Sequence, residues 1–278
     1  MRCLHIRYNN NPSNINTHNN HTMKKNLFIL CMITFIAQSC CEKPIFIGHR
    51  GSLLGVENTE EAFINGAAHF GYQGLECDVK TTLDGQCVCW HDDHLQRAGI
   101  EEVLIPNITL DSLLTLTLTQ TRKDVTYTAN ICTVDRYLEI CKEYNVFPVV
   151  ELKWATGINN NDMSLFPSLY ALIEKHGLVE EAVILTSMQQ SIEYIRTHYP
   201  QLTCQWLRHN VQEEDYAWCE QWNVTLSVPH TSVTEQVIAR SQQIGKAVAT
   251  WTVNEVTDYE RVIQLGCKYV TTDYLKIK

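Results

Sequence analysis

The stretch Gly74-Leu75-Glu76-Cys77-Asp78-Val79-Lys80-Thr81-Thr82-Leu83-Asp84-Gly85-Gln86-Cys87-Val88-Cys89-Trp90-His91-Asp92 decides the fold. It opens on a short apolar run, Gly74–Asp78, that carries two acids two residues apart, and it closes on a second run, Gln86–His91. Lys80 to Gly85 is too short for a helical crossover, so the two runs form antiparallel strands. Asp84-Gly85 supplies the turn. A two-residue type I′ loop there pairs Leu83 with Gln86, and counting down the ladder sets Asp78 opposite His91. Period-two alternation puts Glu76 on the same face as Asp78.

Around this hairpin the chain repeats one pattern: a short apolar run, a polar turn, then a helical stretch, which is the signature of parallel βαβ units. The runs are Ile45–Gly48, Gly74–Asp78, Phe147–Leu152, Ala182–Thr186, Thr203–Leu207, Thr225–Val228, Ala247–Thr252 and Tyr269–Thr272. Helices are predicted at Thr59–His69, Val134–Glu143, Leu165–His176, Gln189–His198, Val233–Ile244 and Val256–Leu265, and the Thr-Leu run Thr109–Thr119 as a helix or cap beside the site. Eight strands with outer helices predict an α/β fold, a (β/α)8 TIM barrel with a β-hairpin extension after strand two. An open doubly wound sheet is the rival, but no Gly-x-Gly-x-x-Gly follows any strand.

Residues 1–39 read as leader and signal peptide, and 40–278 as a single catalytic barrel. Met23-Lys24-Lys25 forms a basic start, Leu27 to Ala37 an apolar core too short to span a bilayer, and Ala37-Gln38-Ser39-Cys40 resembles a bacterial lipobox. Met23 is thus a second candidate initiator. Lipid on Cys40 would associate the domain with a membrane surface, which places it in the bacterial cell envelope, exported across the inner membrane and facing the periplasm or the outside. Residues 1–39 hold Arg2, Arg7, Lys24 and Lys25 and no acid, so their removal takes the formal charge from −9 to −13. That acidity, without a basic stripe, argues against nucleic acid as a partner. The cysteines that remain are irregularly spaced, form no zinc-finger pattern, and read as small buried hydrophobes.

Polar groups crowd the strand ends. Gly48-His49-Arg50-Gly51 follows the first strand, Glu76-Cys77-Asp78 ends the second, His91-Asp92 ends the hairpin, and Glu151-Leu152-Lys153 ends the third. Glu76, Asp78 and Glu151 are too many negative charges for one rim without a cation, and oxygen ligands alone suit Ca²⁺ or Mg²⁺. His49, His91 and Arg50 add an acid, a base and an anion clamp, a set suited to phosphodiester cleavage. Trp251 reads equally as barrel core or as a wall that stacks on ligand. His69, His94, His176, His198, His209 and His230 read as surface or capping residues.

These motifs resemble the glycerophosphodiester phosphodiesterase family over nearly all of residues 45–273: His49-Arg50-Gly51, Glu57-Asn58-Thr59, Glu76-Cys77-Asp78-Val79, Asp84-Gly85 to His91-Asp92, Leu95-Gln96-Arg97, Glu151-Leu152-Lys153, Trp251-Thr252-Val253-Asn254 and Thr271-Thr272-Asp273. Val56 stands where the family commonly has Pro, and Cys132 replaces another. The resemblance implies hydrolysis of a small glycerophosphodiester to glycerol 3-phosphate and an alcohol, with His49 and His91 as the acid/base pair. It implies metal ligation by Glu76, Asp78 and Glu151, Glu57 near the metal, Asn58 as a further candidate, and substrate contacts from Arg50 and Lys153. It also implies attack on phosphorus by the neighbouring glycerol hydroxyl, giving a cyclic phosphate that water then opens. The alternatives are a carboxylate-pair glycoside hydrolase, in which the His-Arg pair has no role, and a lipid-anchored binding lipoprotein with this fold and no turnover.

Overall fold

The computed structural model describes residues 43–276, so the leader, Met23 and Cys40 lie outside the described residues. The chain enters on β1 (Ile45–Gly48), turns into α1 (Glu60–Ile64) and its wider π-type continuation Asn65–Phe70, and crosses to β2 (Gly74–Thr81). An insert follows: β3 (Cys87–Cys89), α2 (Leu110–Leu113), the hairpin β4 (Leu118–Arg122) and β5 (Val125–Ala129), and β6 (Cys132–Thr133). Helix and strand then alternate through α3 (Val134–Glu143), β7 (Phe147–Leu152), α4 (Phe166–Lys175), β8 (Val183–Thr186), α5 (Gln189–His198) and β9 (Thr203–Leu207). The last part runs through α6 (Glu213–Trp222), β10 (Thr225–Pro229), α7 (Glu235–Gln243), β11 (Val248–Trp251), α8 (Val256–Leu265) and β12 (Tyr269–Thr272).

β1, β2 and β7 to β12 pair in parallel in that order, and β1 also pairs with β12, so eight strands close into the expected barrel. Ile47, Val149, Val183 and Leu185 pack inside it, while a larger apolar layer joins the outer faces of the strands to the helices. The helix α6 is absent from the sequence reading, because its apolar residues Tyr216, Trp218, Cys219 and Trp222 are interleaved with acids and show no clean stripe. The eight cysteines among the described residues are buried free thiols. No described helix is long and apolar enough to cross a membrane.

The hairpin on β2 differs from the expected register by one residue. Thr82, not Leu83, faces Gln86: its amide donates to the Gln86 carbonyl at 3.0 Å, leaving the three-residue loop Leu83-Asp84-Gly85. Gly85 takes φ +74, and the Asp84 carboxylate accepts from the Thr82 hydroxyl and from the Leu110 amide at 2.6 and 3.0 Å. A three-residue loop with glycine in the left-handed position closes the strands one residue earlier than a type I′ turn. Val79 therefore pairs with Cys89, and the Trp90 amide donates to the Asp78 carbonyl at 2.9 Å, so Trp90 rather than His91 stands opposite Asp78. His91 belongs to the loop beyond β3.

The Thr109–Thr119 run is only partly helical. α2 spans one turn, and the alternating threonines then enter β4, as their β-branched side chains favour. The insert has its own apolar core, with Trp90 fully buried against Val88, Leu95, Ile105, Leu113 and Leu118.

Candidate active site

The site is built first by close backbone approach at the end of β1. A Cβ on Gly48 would clash with the Gly51 carbonyl oxygen, and Gly51 itself takes φ +89 against the backbone of Ala62. This tight turn aims the Arg50 amide at Glu76 Oε2, 2.7 Å away. On β2, Glu76 and Asp78 project to one face as period two requires, and both are fully buried. Glu151 on β7 is the parallel register partner of Asp78.

Carboxylate oxygens of Glu76, Asp78 and Glu151 lie within 4.8 Å of one another, and no other group of three His, Cys, Asp or Glu residues converges this way among the described residues. Glu76 Oε1 is buried and accepts no hydrogen bond. Burial and then the charge of Asp78 push the Glu76 carboxyl up to about 8, and the same two causes raise Glu151. Burial also opposes ionisation of Asp78, but Lys153 and Arg50 outweigh it and hold that carboxyl well below the usual range. Lys153 Nζ lies 3.1 Å from Asp78 Oδ1 and also contacts Glu151, while Arg50 Nε lies 3.1 Å from Asp78 Oδ2. A buried, oxygen-only cluster with an unsatisfied oxygen and more acid than the two bases can neutralise fits a hard divalent cation.

The candidates Glu57 and Asn58 do different things. Asn58 Nδ2 donates to Asp78 Oδ2 at 2.8 Å, and its Oδ1 accepts from the Asp78 amide at 3.1 Å, so one side chain holds both the backbone and the carboxylate of Asp78. Glu57 stands outside the three-carboxylate group and pairs with Arg50 and Arg97 at 3.1 and 3.2 Å.

Each proposed catalytic histidine is held through Nδ1 by a carboxylate. His49 Nδ1 meets Asp273 Oδ1 at 2.9 Å, and Asn254 Nδ2 donates to Asp273 Oδ2 at 2.7 Å. His91 Nδ1 meets Asp92 Oδ1 at 2.6 Å, and Arg97 Nε donates to Asp92 Oδ2 at 3.0 Å. The two rings titrate apart. Burial disfavours the His49 imidazolium, yet the hydrogen bond to Asp273 and the charge of Glu76 override it and raise the pKa. At His91 burial wins over Asp78, with Lys153 and Arg50 adding to it, and the pKa falls.

Both rings open on one cleft of about 500 Å³ at the carboxyl ends of the strands, together with Arg50, Lys153 and Trp251. Trp251 is thus a cleft wall, its Nε1 buried without a partner. The sequence reading had no roles for Asp273, Asp92, Arg97 and Asn254, although all sit in quoted motifs. His209, read as a surface or capping residue, is indeed exposed, but it also lines the cleft, edge-on to Trp251 at 5.2 Å. Its position just after β9 was the available signal, since barrel sites form at strand ends.

The model of the Glycerophosphoryl diester phosphodiesterase family matches residues 48–277. A glycerophosphodiester phosphodiesterase from Caldanaerobacter subterraneus subsp. tengcongensis is 24% identical over 83% of this chain and 94% of its own length. Among solved structures, an Oleispira antarctica phosphodiesterase in complex with the product sn-glycerol-3-phosphate superposes with a TM-score of 0.72 at 20% identity, covering 83% of this chain and 93% of that one. The Thermotoga maritima glycerophosphodiester phosphodiesterase gives a TM-score of 0.65 at 23% identity over 84% of this chain and 95% of that one. The structural likenesses carry the fold, the family match carries the chemistry, and the chain belongs to the glycerophosphoryl diester phosphodiesterase family of phosphoric diester hydrolases.

Proposed function

We propose that this cleft hydrolyses glycerophosphodiesters to glycerol 3-phosphate and an alcohol by His/His acid-base catalysis that depends on a divalent ion, Ca²⁺ or Mg²⁺. The observation that carries the reading is the convergence of two His–Asp pairs and three buried carboxylates on one mouth. Glu76, Asp78 and Glu151 would hold the ion, which when bound supplies positive charge to phosphoryl oxygens. Arg50 and Lys153 supply the remaining charge and orient the phosphate.

The opposed pKa directions support a division of roles. His91, whose pKa is lowered, takes the proton from the attacking hydroxyl through Nε2. His49, whose pKa is raised, passes one to the leaving alcohol oxygen. Attack by the neighbouring glycerol hydroxyl gives a cyclic phosphate, and the same pair with exchanged roles serves the water that opens it. Asp273 and Asp92 fix the tautomers, as a carboxylate behind an imidazole does elsewhere. Trp251 walls the substrate.

The test is release of glycerol 3-phosphate from glycerophosphocholine and glycerophosphoethanolamine, with and without chelator. Turnover that is lost in chelator, in His49→Ala and in His91→Ala supports the reading; full activity in the double variant removes it. Binding of both compounds without release would instead favour a binding lipoprotein. Export and acylation at Cys40 belong to the same reading, and incorporation of labelled fatty acid that survives Cys40→Ala would contradict them.

A further inference from the structure

β4 alternates in the way a half-buried strand must. Thr119 and Thr121 are exposed, Leu118 is buried, and Gln120 and Arg122 point inward. Both inward polar side chains end on the loop between β1 and α1. Gln120 Oε1 accepts from the Glu57 amide at 3.0 Å. Arg122 Nη1 donates to the Ser52 carbonyl at 2.6 Å and the Gly55 carbonyl at 3.3 Å, and Nη2 lies 3.9 Å from Asp273 Oδ1. The hairpin tip adds Lys123, whose Nζ sits 3.2 Å above the Tyr274 ring.

That loop needs outside support. Arg50, Gly51, Gly55 and Asn58 all have positive φ, at 50, 89, 125 and 60 degrees. A segment so rich in left-handed backbone cannot pair its carbonyls and amides in a regular ladder, so other elements must satisfy them. Arg122, with five donors in a fixed fork, can satisfy two carbonyls and still face a carboxylate. Its side chain is only 11% exposed and it does not line the cleft, so its charge serves the loop rather than a ligand.

We propose that Gln120 and Arg122 are positioning residues, through which the β4–β5 hairpin holds the β1–α1 loop in the conformation that brings Arg50 to the phosphate and Asn58 to Asp78. The kinetic consequence rests on the phosphodiesterase reading; the structural consequence does not.

The experiment compares Arg122→Ala, Arg122→Lys, Gln120→Leu and Thr126→Ala in the full chain, by amide hydrogen exchange and by steady-state kinetics. Faster exchange confined to residues 50–58 is expected in Arg122→Ala and Gln120→Leu, with kcat/KM down about 10²-fold, the scale for a misplaced reacting group. Added guanidinium should restore part of the activity of Arg122→Ala and none of that of Gln120→Leu. Arg122→Lys should fall between wild type and Ala. Thr126→Ala removes only the exposed hydroxyl pair with Thr121 and should change neither readout. Unchanged exchange at 50–58 in both Arg122→Ala and Gln120→Leu, or a rise spread evenly over the barrel, overturns the proposal. If the wild-type chain turns over no glycerophosphodiester, the functional reading falls and the exchange pattern alone decides this one.

Discussion

Asp273 Oδ1 lies 2.9 Å from His49 Nδ1, although 224 positions separate the two in the chain. Closure of the barrel between β1 and β12 makes them neighbours, since Gly48 is the register partner of Thr272. The contact raises the His49 pKa, in the direction that the proposed acid role requires near neutral pH.

Replacing Asp273 by Asn should therefore move the pH profile. With His49 as the proposed acid, activity should be lost as pH rises through its pKa. Removing the carboxylate lowers that pKa, and the alkaline limb of kcat/KM should shift to lower pH while the acid limb, set by His91, stays. The loss at the optimum should be about 10²-fold or more, given what a wrong tautomer costs in hydrolytic triads. An alkaline limb that does not move would remove Asp273 from this role.

Metal affinity should itself depend on pH. In the metal-free protein burial and Asp78 hold the Glu76 pKa at about 8, so below that pH an incoming ion must displace a proton. Apparent affinity should rise about tenfold per pH unit between 6 and 8 and then level off. Calorimetry in two buffers of different ionisation enthalpy counts the proton released. Glu76→Gln should weaken binding and flatten the slope, leaving what Glu151 contributes; a flat profile in the wild type would contradict the account.

Much of this was legible in the sequence, because barrel strands and their polar ends recur at a rhythm that needs no tertiary information. The carboxylates Glu76 and Asp78 share a face by period two alone. What escaped depends on three-dimensional closure or on local competition. Asp273 meets His49 only when the last strand closes on the first. The hairpin register slipped because the Asp84 side chain is engaged by the Thr82 hydroxyl and the Leu110 amide, which favours a three-residue loop that an Asp-Gly pair does not announce. His91 still lines the cleft with His49, Arg50 and Lys153, because it sits in the loop beyond β3 rather than on the ladder.

Glu57 offers a clean separation between clamp and ligand. Its carboxylate bridges Arg50 and Arg97 rather than joining the three buried acids. Glu57→Gln should raise KM for the phosphodiester several-fold by freeing Arg50, and leave the affinity for Ca²⁺ or Mg²⁺ within about twofold, because a direct ligand contributes far more to a hard-ion site. A tenfold or larger loss of metal affinity would make Glu57 a ligand.

Trp90 stands opposite Asp78 on the hairpin but does not line the cleft. Its ring fills the core of the insert, and its Nε1 donates to the His94 carbonyl at 3.0 Å. Trp90→Phe keeps most of the packing and loses that hydrogen bond, a cost of about 1 kcal/mol. Trp90→Ala opens a cavity and should cost about 3–5 kcal/mol in chemical denaturation. The insert also carries Arg97, Gln120 and Arg122, whereas Glu76, Asp78 and Glu151 stand on the barrel itself. Under conditions where Trp90→Ala remains folded, its kcat/KM should therefore fall by more than its metal affinity does. Equal losses of both would mean that insert and barrel act as one unit, and would count against a separate supporting role for the insert.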